Sequence, residues 1–158
     1  MRIRLAMQQP EKRSGAATVE LAFLAPFLCW FFVIAVDYAR IFYYGVTLEN
    51  CARNGAYYAS NYPDNNYIYN NIYGYTSLGD AVLRDASNLS PAPTYTVGYA
   101  NSPSGPFTQN APPANGGGYV QVTVSWTFHS LTNYPGIPTS VSMTRTAVMQ
   151  VAPAMPSF

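Results

Sequence analysis

The chain has 158 residues, of which 9% are charged and 49% are hydrophobic, and tyrosine alone occupies 14 positions. A soluble globular domain usually carries about 25% charged residues, so this composition argues against an ordinary solvent-dispersed protein. The formal net charge of +1 comes without a recurring basic patch, so we expect no nucleic-acid partner. The length allows one domain, or one small domain with an anchor.

The first 15 residues are distinctly basic. Their net charge of +3 comes from four basic residues against one acid, namely Arg2, Arg4, Lys12 and Arg13 against Glu11, while the rest of the chain carries −2. Basic residues in front of an apolar run hold that end of a membrane protein in the cytoplasm. We therefore expect residues 1–15 to form a cytoplasmic leader.

Residues 16–36 form an apolar run that is interrupted by a single charge, Glu20. A helix needs about 20 predominantly apolar residues to span a bilayer, so this run predicts a transmembrane helix. It is longer than the apolar region of about 7 to 15 residues in a cleaved secretory signal. Pro26 lies inside the run and is expected to kink the helix or to leave one carbonyl without its donor.

Glu20 is the unusual residue of this run. An ionised side chain at membrane depth costs roughly 2.5 kcal/mol or more, which makes Glu20 a candidate functional residue. Three interpretations remain open. The carboxylate lies near the cytoplasmic edge and reaches water close to the positive helix end, or it belongs to a proton or ion path, or it pairs with a free amine of a neighbouring chain. The third interpretation requires removal of the leader, because only then does the helix carry a free amine. Burying the amine and the carboxylate as a pair costs less than burying one of them alone.

The helical pattern continues beyond the apolar run. From Ile41 to Ala59, apolar and small residues recur at steps of three and four, which predicts one long helix from about Ala16 to Ser60. The sequence Asn61-Tyr62-Pro63 ends it, because a residue before proline is pushed out of the helical region. Residues 37–60 are thus expected to form an extramembrane continuation whose small-residue stripe packs on another element.

The two cysteines, Cys29 and Cys51, are 22 positions apart. On one continuous helix that separation is roughly 33 Å, so they cannot bridge within the chain. They are interpreted as small apolar packing residues. An intermolecular disulfide through Cys51 is the alternative.

Residues 61–75 contain five asparagines and five tyrosines. Asparagine favours turns, and tyrosine supplies rigid amphipathic contact area, as in binding loops. Two interpretations remain open: a surface loop whose rings lie on its own domain, or a contact with a partner. The candidate contact residues are Tyr67, Tyr69, Tyr73 and Tyr75.

The remainder of the chain predicts a short helix and a small sheet. Ser77 and Asp80 form a capping pair before a helix over residues 78–87. A modest strand is expected from Tyr95 to Tyr99, and residues 120–129 alternate strictly between apolar and polar side chains. The last predicted strand, 139–151, places five apolar residues on one face, namely Val141, Met143, Ala147, Met149 and Val151. Short connections predict an antiparallel meander with one apolar face, which needs the upper part of the long helix as cover. The predicted fold class is therefore α+β, and residues 61–158 form its extramembrane domain.

The sequence provides little for catalysis. His129 is the single histidine, and it falls on the polar face of a predicted strand. The chain contains neither a phosphate-binding loop nor a Cys-His arrangement with metal spacing. We therefore expect no enzyme, no catalytic residue, no metal site and no cofactor.

The sequence around Glu20 resembles a known processing site. Arg-Ser-Gly-Ala-Ala-Thr-Val-Glu, residues 13–20, is similar to the site in type IV pilin precursors, where a prepilin peptidase cuts after a glycine and leaves a glutamate as the fifth mature residue. The Pro26 region, the Asp37-x-x-Arg40 pair and the run from Asn50 to Ala59 resemble the TadE-like pseudopilins of the tight-adherence (Tad) pilus and secretion system. The resemblance covers about residues 12–60, and Leu21 stands where the family usually has phenylalanine.

This resemblance implies a structural role. It implies cutting between Gly15 and Ala16, recognition or assembly through Glu20, a helix held in the inner membrane and a periplasmic C-terminal domain. The implied partners are the prepilin peptidase, other pilin or pseudopilin subunits and Tad assembly proteins, and the implied setting is an adhesive extracellular pilus. The alternative is a single-pass, membrane-anchored periplasmic binding module with an uncleaved N-terminus.

Overall fold

The computed structural model describes residues 14–61, 74–113, 117–130 and 138–152. The chain divides into two compact units, Met1–Tyr38 and Ala39–Phe158. In chain order the elements are α1 (Ser14–Asn61), α2 (Leu78–Leu83), a 3₁₀ turn (Arg84–Ala86), β1 (Thr94–Ala100), β2 (Tyr119–His129) and β3 (Ser140–Gln150). The predicted α+β fold is confirmed, including the long first helix and the short second one.

The N-terminal unit contains the apolar part of α1. Its large apolar side chains are exposed on all sides of the helix, with Phe23 at 77%, Phe27 at 60% and Phe32 at 69%. Among the described residues, α1 is the one helix that is long and apolar enough to cross a membrane. A helix that is apolar all round belongs in a protein core or in lipid. The helix continues through Pro26, as membrane helices tolerate.

The second unit is built around the later part of α1. Leu48, Cys51, Ala52 and Ala56 on this helix are completely buried, and they belong to one core cluster with the inward-facing valines of β2, Val120, Val122 and Val124. Small side chains on the helix allow close approach to the sheet. The predicted small-residue stripe is therefore the face that covers the sheet.

The three strands form an antiparallel sheet in the order β1-β2-β3. Tyr99 pairs with Val120 in the β1–β2 register, and Phe128 pairs with Val141 in the β2–β3 register. Val120 and Phe128 are buried and His129 is exposed, which confirms the alternation predicted for β2. The structure extends β1 by one residue at each end of the predicted strand.

Gly55 lies where α1 packs closely against α2 and β2. A Cβ atom at this position would overlap Cγ2 of Val82 on α2 and would lie 3.1 Å from Cγ1 of Val122 on β2. Only glycine leaves room for both valines. One position therefore sets the spacing between α1, α2 and the sheet.

Helix α2 begins at the predicted cap. Ser77 Oγ accepts a hydrogen bond from the Asp80 amide at 3.1 Å, and the Asp80 carboxylate accepts one from the Thr76 amide at 2.9 Å. The Thr76 bond is the main reason why the pKa of Asp80 is lowered, and the Arg84 guanidinium also contributes. The α-helix ends at Leu83, earlier than the predicted residue 87. The chain tightens there into a 3₁₀ turn, a common way for a helix to end.

Candidate processing and assembly site

The predicted cutting site lies at the start of α1. Gly15, Ala16 and Glu20 are all exposed, and a Cβ atom placed on Gly15 would meet nothing within 4 Å. Both residues at the predicted cut are thus exposed within the described part of α1. Residues 1–13 lie outside the described residues, so cutting between Gly15 and Ala16 stays a prediction.

Glu20 follows Ala16 by four positions, so both lie on one face of the helix. The first turn of α1 holds no acidic residue, and the attraction between a carboxylate and the helix dipole falls off beyond that turn. The distance from Glu20 to the helix end depends on residues 1–13, which lie outside the described residues, so the role of Glu20 stays a prediction. Loss of the residues before Ala16 would bring the carboxylate closer to the new helix end.

Apolar side chains flank the carboxylate. Val19 and Leu21 are each 62% exposed, and the helix continues from there as an apolar rod. A charge at this boundary is costly in lipid unless a partner of opposite sign meets it. The geometry therefore offers one accessible carboxylate, at a fixed helical distance from the predicted cut.

The family comparison matches this same region. A family model described as "TadE-like protein" matches residues 15–56. The chain carries a TadE-like segment. This segment begins at Gly15 and includes Glu20, the apolar part of α1 and the small residues as far as Ala56. The comparisons with curated proteins and with solved structures gave no match.

The tyrosine-rich region is outside the TadE-like segment. Tyr67, Tyr69 and Tyr73 lie outside the described residues, so a partner contact through them stays a prediction. Tyr75 is half-buried, and the Arg84 guanidinium carbon lies 4.7 Å from its ring centroid. Arg84 also donates to the Gly74 carbonyl and, at 3.2 Å, to the Asp80 carboxylate. Tyr75 is therefore engaged within its own domain.

The two cysteines of the TadE-like segment have opposite surroundings. Cys29 is exposed, whereas Cys51 is buried. Burial, reinforced by the negative charge of Asp85, raises the pKa of the Cys51 thiol to about 11. A neutral, enclosed thiol reacts poorly, so the burial of Cys51 disfavours the intermolecular disulfide, and that alternative stays a prediction.

The described residues contain no group of three or more His, Cys, Asp or Glu side chains that could hold a metal ion. His129 is exposed at the last position of β2. Neither observation points to catalytic chemistry in the described part of the chain.

Sequence reasoning missed an aromatic cluster near the start of the second unit, beside Arg40. The Arg40 guanidinium carbon lies 5.1 Å from the ring centroid of Phe128 and 5.9 Å from that of Tyr44. The rings of Tyr44 and Trp126 meet edge to face at 5.1 Å, and Trp126 Nε1 donates to the Pro91 carbonyl at 2.7 Å. The four-residue step from Arg40 to Tyr44 was the available signal, but only the fold brings β2 beside it.

Proposed function

We propose that this chain is a minor pilin or pseudopilin of a Tad-type type IV pilus or secretion apparatus. One observation carries the proposal. The TadE-like match over residues 15–56 starts at the predicted cut and covers most of the candidate membrane-spanning helix, Gly15–Asn61. The match supports a Tad pilus-related component, and the helix supports membrane anchoring. The minor-subunit role and the processing are our extension.

The proposed first step is insertion with the N-terminus in the cytoplasm. Residues 1–15 carry a charge of +3 and hold this end of the helix at the cytoplasmic face. A prepilin peptidase then cuts between Gly15 and Ala16 and removes that charge. The helix stays in the inner membrane, and the residues from Ala39 onward fold as the periplasmic α+β domain.

The proposed second step uses the new amine of Ala16. In an assembly of parallel helices, this amine lies close to Glu20 of an adjacent subunit when the two chains are offset along the helix axis. Each charge alone is costly in an apolar surrounding, and the pair costs less. A subunit in the wrong register would leave both charges unpaired. The pair thus selects one axial position for entry into the assembly.

The N-terminus of the membrane-bound chain tests this proposal. We would express the full chain with and without a prepilin peptidase and determine its intact mass and N-terminal sequence. Cutting should shift the N-terminus to Ala16, with loss of residues 1–15. Gly15→Leu is the matched variant, and it should remain uncut.

An intact N-terminus in the presence of an active peptidase would contradict the proposal and favour the alternative, a membrane-anchored periplasmic binding module. A known pilin precursor, cut in the same cells, serves as the control for peptidase activity.

A further inference from the structure

One face of α1 in the second unit remains uncovered by the described residues. Phe42, Tyr43 and Val46 are 75%, 57% and 46% exposed, while Leu48 on the other side of the helix is completely buried against the sheet. We call Phe42, Tyr43 and Val46 the juxtamembrane face. Large exposed apolar side chains grouped in this way mark a surface that meets something apolar.

The charges nearby are turned away from the juxtamembrane face. Between Leu21 and Val46 the sequence has only Asp37 and Arg40. Asp37 is 2% exposed, and the Arg40 guanidinium lies against the ring of Phe128, at 5.1 Å. The exposed side of α1 is therefore uncharged over this whole stretch.

The next charged residues along α1, Glu49 and Arg53, mark the solvent-exposed part of the helix. Arg53 Nε and Glu49 Oε1 form an ion pair at 3.1 Å, with side chains that are 64% and 36% exposed. From Leu21 to Val46 the helix rises roughly 38 Å at 1.5 Å per residue. That length exceeds the hydrocarbon core of about 30 Å and approaches the bilayer thickness of about 40–45 Å with its headgroup layers. The uncharged side thus matches a whole bilayer rather than its core.

We propose that the juxtamembrane face is embedded in the headgroup layer of the bilayer, so that the lipid contact of α1 extends about three turns beyond the predicted end of the span at Val36. Aromatic side chains such as Tyr43 are favoured at this level because their rings are amphipathic. The inference rests on the membrane anchoring of the proposed function.

A basic group lies at the same level. The Arg145 Nη2 atom would be 3.3 Å from a Cβ atom on Gly45, so the guanidinium lies beside α1 at the level of Gly45. Lipid phosphates provide the negative charge that such a group favours. A second copy of the chain would bring another Arg145 to this surface. The carboxylate of that copy one turn further along α1, Glu49, is already paired with Arg53 and so does not offset the charge of Arg145. The charges therefore favour lipid over a second copy.

The sheet places uncharged residues at that level too. β2 passes Gly55 at Val122 and reaches Arg40 at Phe128, so it runs opposite to α1. Its last residue, His129, pairs with Ser140 and directly follows Phe128. β1 stops pairing at Ser125, so among the described strands only β2 and β3 reach the level of Arg40.

Spin labels can locate the juxtamembrane face. In a Cys29→Ala background, we would label Phe42→Cys, Val46→Cys and Arg53→Cys, with Phe27→Cys as the reference inside the span. Cys51 needs no replacement, because its buried thiol has a pKa of about 11 and reacts poorly. The full chain is reconstituted in phosphatidylcholine–phosphatidylglycerol vesicles, and power saturation compares the access of oxygen with that of a water-soluble nickel chelate.

Labels at positions 42 and 46 should show a ratio of oxygen access to nickel access that lies between the ratio at 27, which should favour oxygen, and the ratio at 53, which should favour nickel. A ratio at 42 and 46 equal to that at 53 would overturn the inference and leave the anchor intact. Shielding from both reagents, with spin–spin broadening that disappears on dilution with unlabelled chain, would overturn it in favour of a second copy. Loss of the oxygen preference at 27 would instead refute the membrane anchor itself.

Discussion

Gly55 is the position at which a single methyl group should disturb the extramembrane domain most clearly. In Gly55→Ala, the new Cβ would overlap Cγ2 of Val82 and lie 3.1 Å from Cγ1 of Val122. Overpacking of this kind costs about 1–3 kcal/mol. Alanine recovers at most about 1 kcal/mol through its higher helix propensity. We therefore expect a net loss of about 1–2 kcal/mol in the free energy of unfolding.

Gly45→Ala is the matched control on the same helix. Its Cβ would meet only Nη2 of Arg145, at 3.3 Å, and the end of a flexible side chain can move aside. This variant should be neutral or should gain up to about 1 kcal/mol from helix propensity. Unfolding of the full chain in detergent, followed by near-ultraviolet circular dichroism in a denaturant series, measures both variants.

Removal of the obstructing methyl groups provides a second check. Val82→Ala alone should destabilise the domain by creating a cavity, but in the Gly55→Ala background it should cost less, because the overlap disappears. The coupling between the two changes should thus be favourable. A Gly55→Ala variant as stable as the wild type, or simple additivity with Val82→Ala, would refute the reasoning about helix spacing.

The remaining predictions concern charge, burial and one hydrogen bond. Glu20→Gln should be cut like the wild type but enter the assembly poorly, as measured by its content in sheared filaments, with Glu49→Gln as the control; normal incorporation would contradict the pairing. Cys51 should resist maleimide at pH 8 until the chain unfolds. Because the pKa of its thiol is about 11 in the folded chain instead of 9.0, the free energy of unfolding should fall as pH rises from 9.0 towards 11. Cys51→Ala should not show this fall. Asp80 has a lowered pKa, so its contribution is complete above 3.8 and is lost as pH falls below that value; Asp80→Asn should flatten this part of the stability profile. Trp126→Phe removes the donor to the exposed Pro91 carbonyl and should cost about 0.5–1.5 kcal/mol in the free energy of unfolding; unchanged stability would show that water replaces the donor.

Several features followed from the sequence because they depend on local chemistry. The apolar run of residues 16–36, which holds one charge, predicts a spanning helix by its length. Ser77 and Asp80 predict the start of α2 because a cap needs only those side chains and nearby amides. Alternation from Val120 to Phe128 predicts a strand with one buried face.

Other features depend on residues that are far apart in the chain, and only the tertiary structure decided them. Three features require α1 and β2 to lie side by side. They are the burial of Cys51, the close packing that makes Gly55 necessary and the contact between the Arg40 guanidinium and the ring of Phe128. A helical period shows which residues share a face, but it does not show whether that face meets protein, lipid or water. The sequence by itself thus determined the order of the elements, and it predicted the spanning helix and the cut before Ala16. Long-range packing decided which side of α1 the sheet covers, and so which side is left as the juxtamembrane face.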